Sequence, residues 1–216
     1  MRSKFDHQLN DLDKDLSIMG SLCEEAITLS LDILKDDEFH LAEQVSETAR
    51  RIDHLERDIE SQCLKLLLRQ QPVAKDLRRI SAALKMVYDM KRIGAQSGEM
   101  ASIMSQKHIV SGPEVELLED MTKRVSTMVT ASIDAFVEED MEKAQKVIQD
   151  DEKVNQQFDT IKKKLITYFS QPNADGEYAV DLLMVAKYVE RIGDHTVNIA
   201  KWVLYSITGQ LDGDSA

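Results

Sequence analysis

The segment Glu190-Arg-Ile-Gly-Asp194-His-Thr-Val-Asn198 places two carboxylates four residues apart in a stretch of helical pattern, with an amide four residues further on. Residues spaced by four lie on one face of an α-helix, so these polar side chains should share a face. An earlier segment, Lys91-Arg-Ile-Gly-Ala95-Gln-Ser-Gly-Glu99, has the same Arg-Ile-Gly core without either carboxylate. The chain therefore contains two copies of one unit, and the copies differ where the charges lie.

The repeat extends over most of the chain. Apolar residues recur at the helical spacing in six stretches, at about 5–35, 39–69, 76–106, 114–137, 140–170 and 177–207. Ile52 aligns with Val154 at a shift of 102, whereas the Arg-Ile-Gly segments align at a shift of 99. We therefore expect a connection between the second and third helices that is three residues shorter in the second copy. The sequence predicts an all-α protein of six long antiparallel helices, as two tandem three-helix bundles over 1–110 and 111–216.

Composition agrees with helices whose surfaces are charged. The 216 residues include only 8 Gly and 3 Pro, too few for the many turns of a sheet protein. The formal charge of −12 disfavours nucleic acid and anionic lipid and favours cations or basic partners. No apolar run approaches the ~20 residues of a membrane span, and the start lacks a signal-peptide pattern. Cys23 and Cys63 have no Cys-x-x-Cys partner, so we expect both to be reduced thiols. Together these features predict a cytoplasmic protein without direct membrane insertion.

Four oxygen-bearing side chains form a candidate metal site. Asp151 and Asn155 fall within the apolar stripe of the fifth helix, and Glu190 and Asp194 lie at the edge of the stripe on the sixth. A buried carboxylate is costly unless it is paired or coordinates a metal, so packing of these helices should bring the four side chains around a cation. Oxygen ligands favour Mg²⁺, Ca²⁺ or Mn²⁺, with iron also possible. The alternative is a polar network closed by water or by a basic side chain of the sixth helix, namely Lys187, Arg191 or Lys201.

The first copy has lost most of this ligand set. Its equivalents of Asp151, Asn155, Glu190 and Asp194 are Ala49, Asp53, Lys91 and Ala95. One carboxylate remains and a lysine is added. We expect the Lys91 ammonium to take the place of the metal and to pair with Asp53, so that the first bundle holds no metal.

The polar face of the sixth helix is the second candidate surface. His195 follows Asp194 but is rotated by about 100°, toward solvent, so we do not expect it to be a ligand. It lies in a row with Tyr188, Arg191 and Trp202, and aromatic residues with arginine are enriched at interfaces. This row predicts an exposed contact or dimer surface, and packing on the other bundle is the alternative.

The doubled unit resembles the PhoU family of phosphate-signalling regulators. The resemblance covers residues 5 to about 208, and its sharpest marks are Tyr188-Val-Glu-Arg-Ile-Gly-Asp-His-Thr-Val-Asn-Ile-Ala200 and Asp150-Asp-Glu-Lys-Val-Asn155. It implies a cytoplasmic homodimer that binds divalent metal, most often iron, on its carboxylate motifs. It also implies a negative regulator that links the ATPase subunit of a phosphate ABC transporter to a sensor histidine kinase. By position, Glu190, Asp194, Asp151 and Asn155 match the motif, whereas Lys91 and Ala95 depart from it.

Other classes fit the sequence less well. A ferritin-like di-iron oxidase needs Glu-x-x-His pairs, and the chain has none. A metal-dependent phosphohydrolase would need a recognisable acid or nucleophile beside the carboxylates, and none is evident, so we do not expect an enzyme. A metal-free helical adaptor and an accessory regulator of a low-affinity phosphate carrier remain as alternatives.

Overall fold

A computed structural model of the chain describes residues 2–34, 40–70 and 72–210. The six helices are α1 (Arg2–Asp32), α2 (His40–Gln70), α3 (Ala74–Met104), α4 (Pro113–Val137), α5 (Met141–Phe169) and α6 (Gly176–Thr208). The described residues contain no strand, which confirms the all-α prediction. The tail 211–216, expected from its composition to be disordered, lies outside them. No helix in the described ranges is both long and apolar enough to cross a bilayer.

Each repeat forms a three-helix bundle, and the two bundles pack together. α1, α2 and α3 contact one another, as do α4, α5 and α6. The repeats meet through α3 against α6, which is the most extensive helix pair, and through α1 against α4. Apolar side chains from both repeats join into one continuous core, in which fully buried members include Met19, Ile52, Ile93, Phe136, Val154 and Val189. Burying a shared core couples the stability of the two repeats.

The connection between α5 and α6 differs from the prediction. α5 ends at Phe169 and α6 begins at Gly176, so this connection is longer than the one between Gln70 and Ala74 in the first repeat. At the alignment shifts of 102 and 99, α5 ends three residues before the equivalent of Gln70, and α6 begins three residues after the equivalent of Ala74. The helix ends therefore lose six positions while the connection gains three, which leaves the net loss of three residues. Asp175 fixes the later start of α6, because its Oδ1 accepts hydrogen bonds from the backbone N–H groups of Glu177 (3.0 Å) and Tyr178 (3.3 Å).

A charged clasp holds the α4–α5 turn against the first repeat. The Arg79 guanidinium is buried, donates to Asp13 and to Glu139 at 2.8 Å each, and lies 4.7 Å from the centre of the Phe136 ring. Lys75 is a second partner of Glu139, at 2.8 Å. These contacts hold Glu139 in a left-handed backbone conformation with φ 54°. This conformation is unfavourable for a residue other than glycine.

The linker between α3 and α4 is fastened to the start of α6. His108 Nδ1 lies 2.8 Å from Asp181 Oδ2, and its Nε2 lies 3.6 Å from Glu177 Oε2. The contact with Asp181, together with the charges of Glu177, Asp181 and Asp175, raises the pKa of His108 above its usual value. Below this raised pKa, a protonated His108 ties the inter-repeat linker to the second bundle.

Candidate metal site between α5 and α6

Where α5 packs on α6, Asp151 and Asn155 lie near Glu190 and Asp194. The charge of Asp194 and the charge of Glu190 both act on Asp151. The charge of Glu190 also acts on Asp194. Three carboxylates and one amide are thus grouped on the faces of two adjacent helices.

Asp151 is the innermost member of this group. Its Oδ1 is buried without a hydrogen-bond partner among the described residues, while its Oδ2 accepts a hydrogen bond from Asn155 Nδ2 at 3.0 Å. Gly193 makes room for this carboxylate, since a Cβ at that position would lie 2.8 Å from Asp151 Oδ1. The absence of a Cβ at Gly193 therefore makes room for a side chain of α5. In the first repeat, the equivalent Gly94 faces the methyl groups of Ile52.

The carboxylates repel one another, and one oxygen of Asp151 is fully buried, whereas Asp194 is exposed at the edge of the group. Burial raises the pKa of Asp151, and the nearby charges of Asp194 and Glu190 raise it further, against the hydrogen bond from Asn155. Burial also raises the pKa of Asp194, followed by the charge of Glu190, and the basic groups Lys187, His195 and Arg191 only partly oppose this. A cation placed among these carboxylates would lower both pKa values.

Glu190 is paired in a different way. Its side chain is only 16% exposed, and one carboxylate oxygen forms an ion pair with the Lys187 ammonium. Lys187 also lies over the Phe158 ring, with Nζ 5.2 Å from the ring centre. Within the described residues, no three His, Cys, Asp or Glu side chains are arranged to hold a metal ion. The contacts between side chains here are a hydrogen bond from Asn155 to Asp151 and an ion pair between Lys187 and Glu190, which together form a partial polar network.

The first repeat confirms the predicted pairing of Lys91. Lys91 Nζ lies 2.8 Å from Asp53 Oδ1 and 3.3 Å from Glu56 Oε2, and Arg57 pairs with the other oxygen of Asp53. The hydrogen bonds from Lys91 and then Arg57 lower the pKa of Asp53. Sequence reasoning missed Glu56 and Arg57, although their spacing of three and four from Asp53 puts them within its reach on α2.

His195 does not point to solvent, so that prediction was wrong. Its side chain is 20% exposed, and its Nδ1 lies 2.8 Å from Oδ1 of Asp89 on α3, which also accepts a hydrogen bond from Asn198 at 3.3 Å. Asp89 is 7% exposed. The reason is the packing of α6 on the other repeat, the alternative that the sequence left open. Tyr188 and Trp202 are partly buried against the same core, and only Arg191 of the predicted row is fully on the surface.

The sequence and fold match known proteins over nearly their whole length. The chain matches the PhoU domain twice, over residues 16–104 and 118–203. The phosphate-specific transport system accessory protein PhoU homolog of Clostridium acetobutylicum is 31% identical, over 97% of this chain and 96% of the relative. The crystal structure of PhoU from Pseudomonas aeruginosa is 32% identical with a TM-score of 0.89, covering 95% of this chain and 100% of that one. PhoU from Streptococcus pneumoniae, 24% identical with a TM-score of 0.87, shares the fold. The chain belongs to the PhoU family.

Proposed function

We propose that this protein is an accessory regulator of a phosphate transport system. The observation that carries the proposal is the pair of PhoU domain matches, one in each three-helix repeat, which together cover most of the chain. Relatives that align with nearly the full chain bear the name of accessory proteins of phosphate-specific transport. The proposed role is regulatory and not catalytic.

The proposed partners are the ATPase subunit of a phosphate ABC transporter and a sensor histidine kinase. The protein would act in the cytoplasm, as a homodimer, and repress phosphate-starvation genes when phosphate is plentiful. The net charge of −12 supports contact with basic surfaces on those partners.

Affinity capture tests the partner assignment. Tagged protein, purified from detergent-treated membranes of the encoding organism grown in high phosphate, should retain the transporter ATPase and the kinase. Deletion of the gene should switch on phosphate-starvation genes in the same medium. Capture of neither partner, combined with unchanged expression after deletion, would reject the proposed role.

We also propose that Asp151, Glu190 and Asp194, with Asn155, hold a divalent cation. Iron is the expected metal by family resemblance, and Mn²⁺, Mg²⁺ or Ca²⁺ also suit an all-oxygen ligand set. Two features support this assignment: Asp151 Oδ1 is buried without a partner, and the pKa values of Asp151 and Asp194 are raised. A positive charge among these carboxylates would stabilise their ionised forms. When bound, the metal would supply that charge and tie α5 to α6.

Titration with Mn²⁺ tests this site. After treatment with a chelator, the protein should bind Mn²⁺, and Asp151→Asn, Glu190→Gln and Asp194→Asn should each weaken binding by at least about tenfold. Asp159→Asn is the matched control, because Asp159 also lies on α5, is 58% exposed and pairs with Lys162 at 3.3 Å. Equal affinity in all four variants would place the metal elsewhere.

A metal-free adaptor is the second candidate function. The observation that favours it is the ion pair between Lys187 and Glu190, which already neutralises one of the three carboxylates. If the chelator-treated protein binds no metal and still captures the transporter ATPase and the kinase, the adaptor function is correct.

A further inference from the structure

The Lys187 ammonium makes two contacts from a single position at the edge of the candidate metal site. It pairs with Glu190, three residues further along α6, and it also lies over the Phe158 ring of α5 at 5.2 Å. Its side chain is 42% exposed, whereas that of Glu190 is 16% exposed. The lysine can therefore move while the glutamate stays within the helix interface.

An ammonium in contact with a Glu190 carboxylate oxygen competes with a divalent cation for that oxygen. An ammonium in contact with Glu190 supplies one positive charge at the edge of the group but leaves Asp151 Oδ1 without a partner. A divalent ion would satisfy several of these oxygens together. The same ammonium already lies 5.2 Å from the centre of the Phe158 ring, and because cations are attracted to aromatic faces at such distances, this contact can persist when the ion pair opens.

We propose that Lys187 is a displaceable counter-ion, which competes with the divalent cation for Glu190 and thereby sets the metal affinity of the second repeat. This inference rests on the proposed metal site. Competition lowers the apparent affinity by the fraction of time that Glu190 is free. If the ammonium occupies Glu190 about nine-tenths of the time, the apparent affinity is about tenfold below that of the open site.

In the first repeat a lysine also pairs with the acidic side chains, but this lysine takes the place of a candidate ligand. Lys91 stands at the position of Glu190 itself and contacts two carboxylates, Asp53 and Glu56. The first-repeat equivalent of Lys187 is Tyr88, which cannot supply a charge. Each repeat thus places one lysine against its acidic group, but only the lysine of the second repeat leaves a full set of carboxylates behind when it moves away.

Mn²⁺ titration of the chelator-treated full chain tests the proposal, with Lys187→Met as the variant. Methionine keeps the length of the side chain and removes its charge. We expect the affinity for Mn²⁺ to rise about tenfold. Lys162→Met is the matched control, because Lys162 also lies over the Phe158 ring, at 5.8 Å, and pairs with Asp159 and not with Glu190. Its removal changes the net charge equally and should leave the affinity within about twofold.

The outcomes separate the two proposals. If wild-type protein binds Mn²⁺ and Lys187→Met binds it no more tightly, or both lysine variants gain equally, the competition is refuted while the metal site stands. If neither wild-type protein nor Lys187→Met binds Mn²⁺, the metal site itself is refuted and the inference falls with it. If only Lys187→Met binds, Lys187 blocks the site completely, which supports the inference. Amine labelling read by peptide mass spectrometry gives a second measurement, since saturating Mn²⁺ should speed labelling of Lys187 and not of Lys162.

Discussion

Asp151 has a buried carboxylate oxygen without a hydrogen-bond partner and forms no ion pair with the residues that the structure describes. Its pKa is raised in the folded protein by burial and by the neighbouring acids. Because the pKa is higher in the folded state than in the unfolded state, the protein takes up protons when it folds. The metal-free protein should therefore lose stability as the pH rises through the raised pKa values of Asp151 and Asp194.

Asp151→Asn should stabilise the metal-free protein while it weakens metal binding. Asparagine keeps the shape and removes the charge that repels Asp194 and Glu190. At neutral pH without metal, we expect the melting temperature to rise by roughly 2–4 °C, the change that about 1 kcal/mol produces in a domain of this size. Differential scanning calorimetry with and without Mn²⁺ measures both effects. A lower melting temperature of Asp151→Asn in the chelator-treated state would show that the Asp151 charge is compensated.

Lys91→Met should destabilise the first repeat modestly. The ammonium joins Asp53 and Glu56, but Lys91 is 38% exposed, so the loss should be about 0.5–1 kcal/mol in urea unfolding. The lowered pKa of Asp53 makes this contribution present at neutral pH and lost as the pH falls through that pKa. Lys163→Met, at an exposed position on α5, is the control. Equal stability of the two variants at pH 7 would mean that Lys91 contributes nothing to its acidic group.

Local spacing determined which site residues could be found without coordinates. The inward direction of Asp151 and Asn155 follows from their place in an apolar stripe, and the pairing of Lys91 with Asp53 follows from comparing the two copies. The sequence did not show which basic side chain pairs with Glu190, because a helical wheel gives the direction of a side chain and not its contacts. In the structure the partner is Lys187. The pair between His195 and Asp89 crosses between repeats, and nothing in the local sequence of α6 encodes where α3 packs.

At the scale of elements, the helices were predictable because each carries its own periodic apolar face. Their ends agree with the sequence-based ranges to within a few residues. The α5–α6 connection was less predictable, because an alignment shift shows that residues are missing but not whether a loop or a helix loses them. The side-chain cap of Asp175 decided the outcome.

The linker contact of His108 should make stability depend on pH. Because the pKa of His108 is raised, the contribution of its contact with Asp181 is fully present below the ordinary value of 6.5 and is lost as the pH rises through the raised pKa. His108→Gln should therefore lower the melting temperature at pH 6 and have a smaller effect at pH 9. A difference between wild type and variant that grows with pH would contradict the contact.

At the scale of the whole molecule, the contacts of Arg79 with Asp13 and Glu139 should contribute more to the free energy of unfolding than the outer ion pair between Lys75 and Glu139. Arg79→Met leaves Asp13 and Glu139 without their shared guanidinium and should cost about 2–3 kcal/mol in urea unfolding. This is below the ~3–5 kcal/mol of a fully buried pair, because Glu139 is partly exposed and keeps Lys75. Lys75→Met, at a position 62% exposed, should cost less than ~1 kcal/mol. Equal losses would show that Arg79 does not couple the repeats.

The asymmetry between the repeats is the central claim. One continuous core joins the two bundles, yet the second repeat leaves an Asp151 oxygen buried without a partner, whereas in the first repeat the equivalent acid, Asp53, pairs with Lys91.

An anomalous-scattering map of crystals grown with Mn²⁺ tests this claim most directly. We expect one strong peak between α5 and α6, in contact with Asp151, Glu190 and Asp194, and none beside Asp53 and Lys91. Peaks of equal height in both repeats, or no peak at the α5–α6 site, would contradict it.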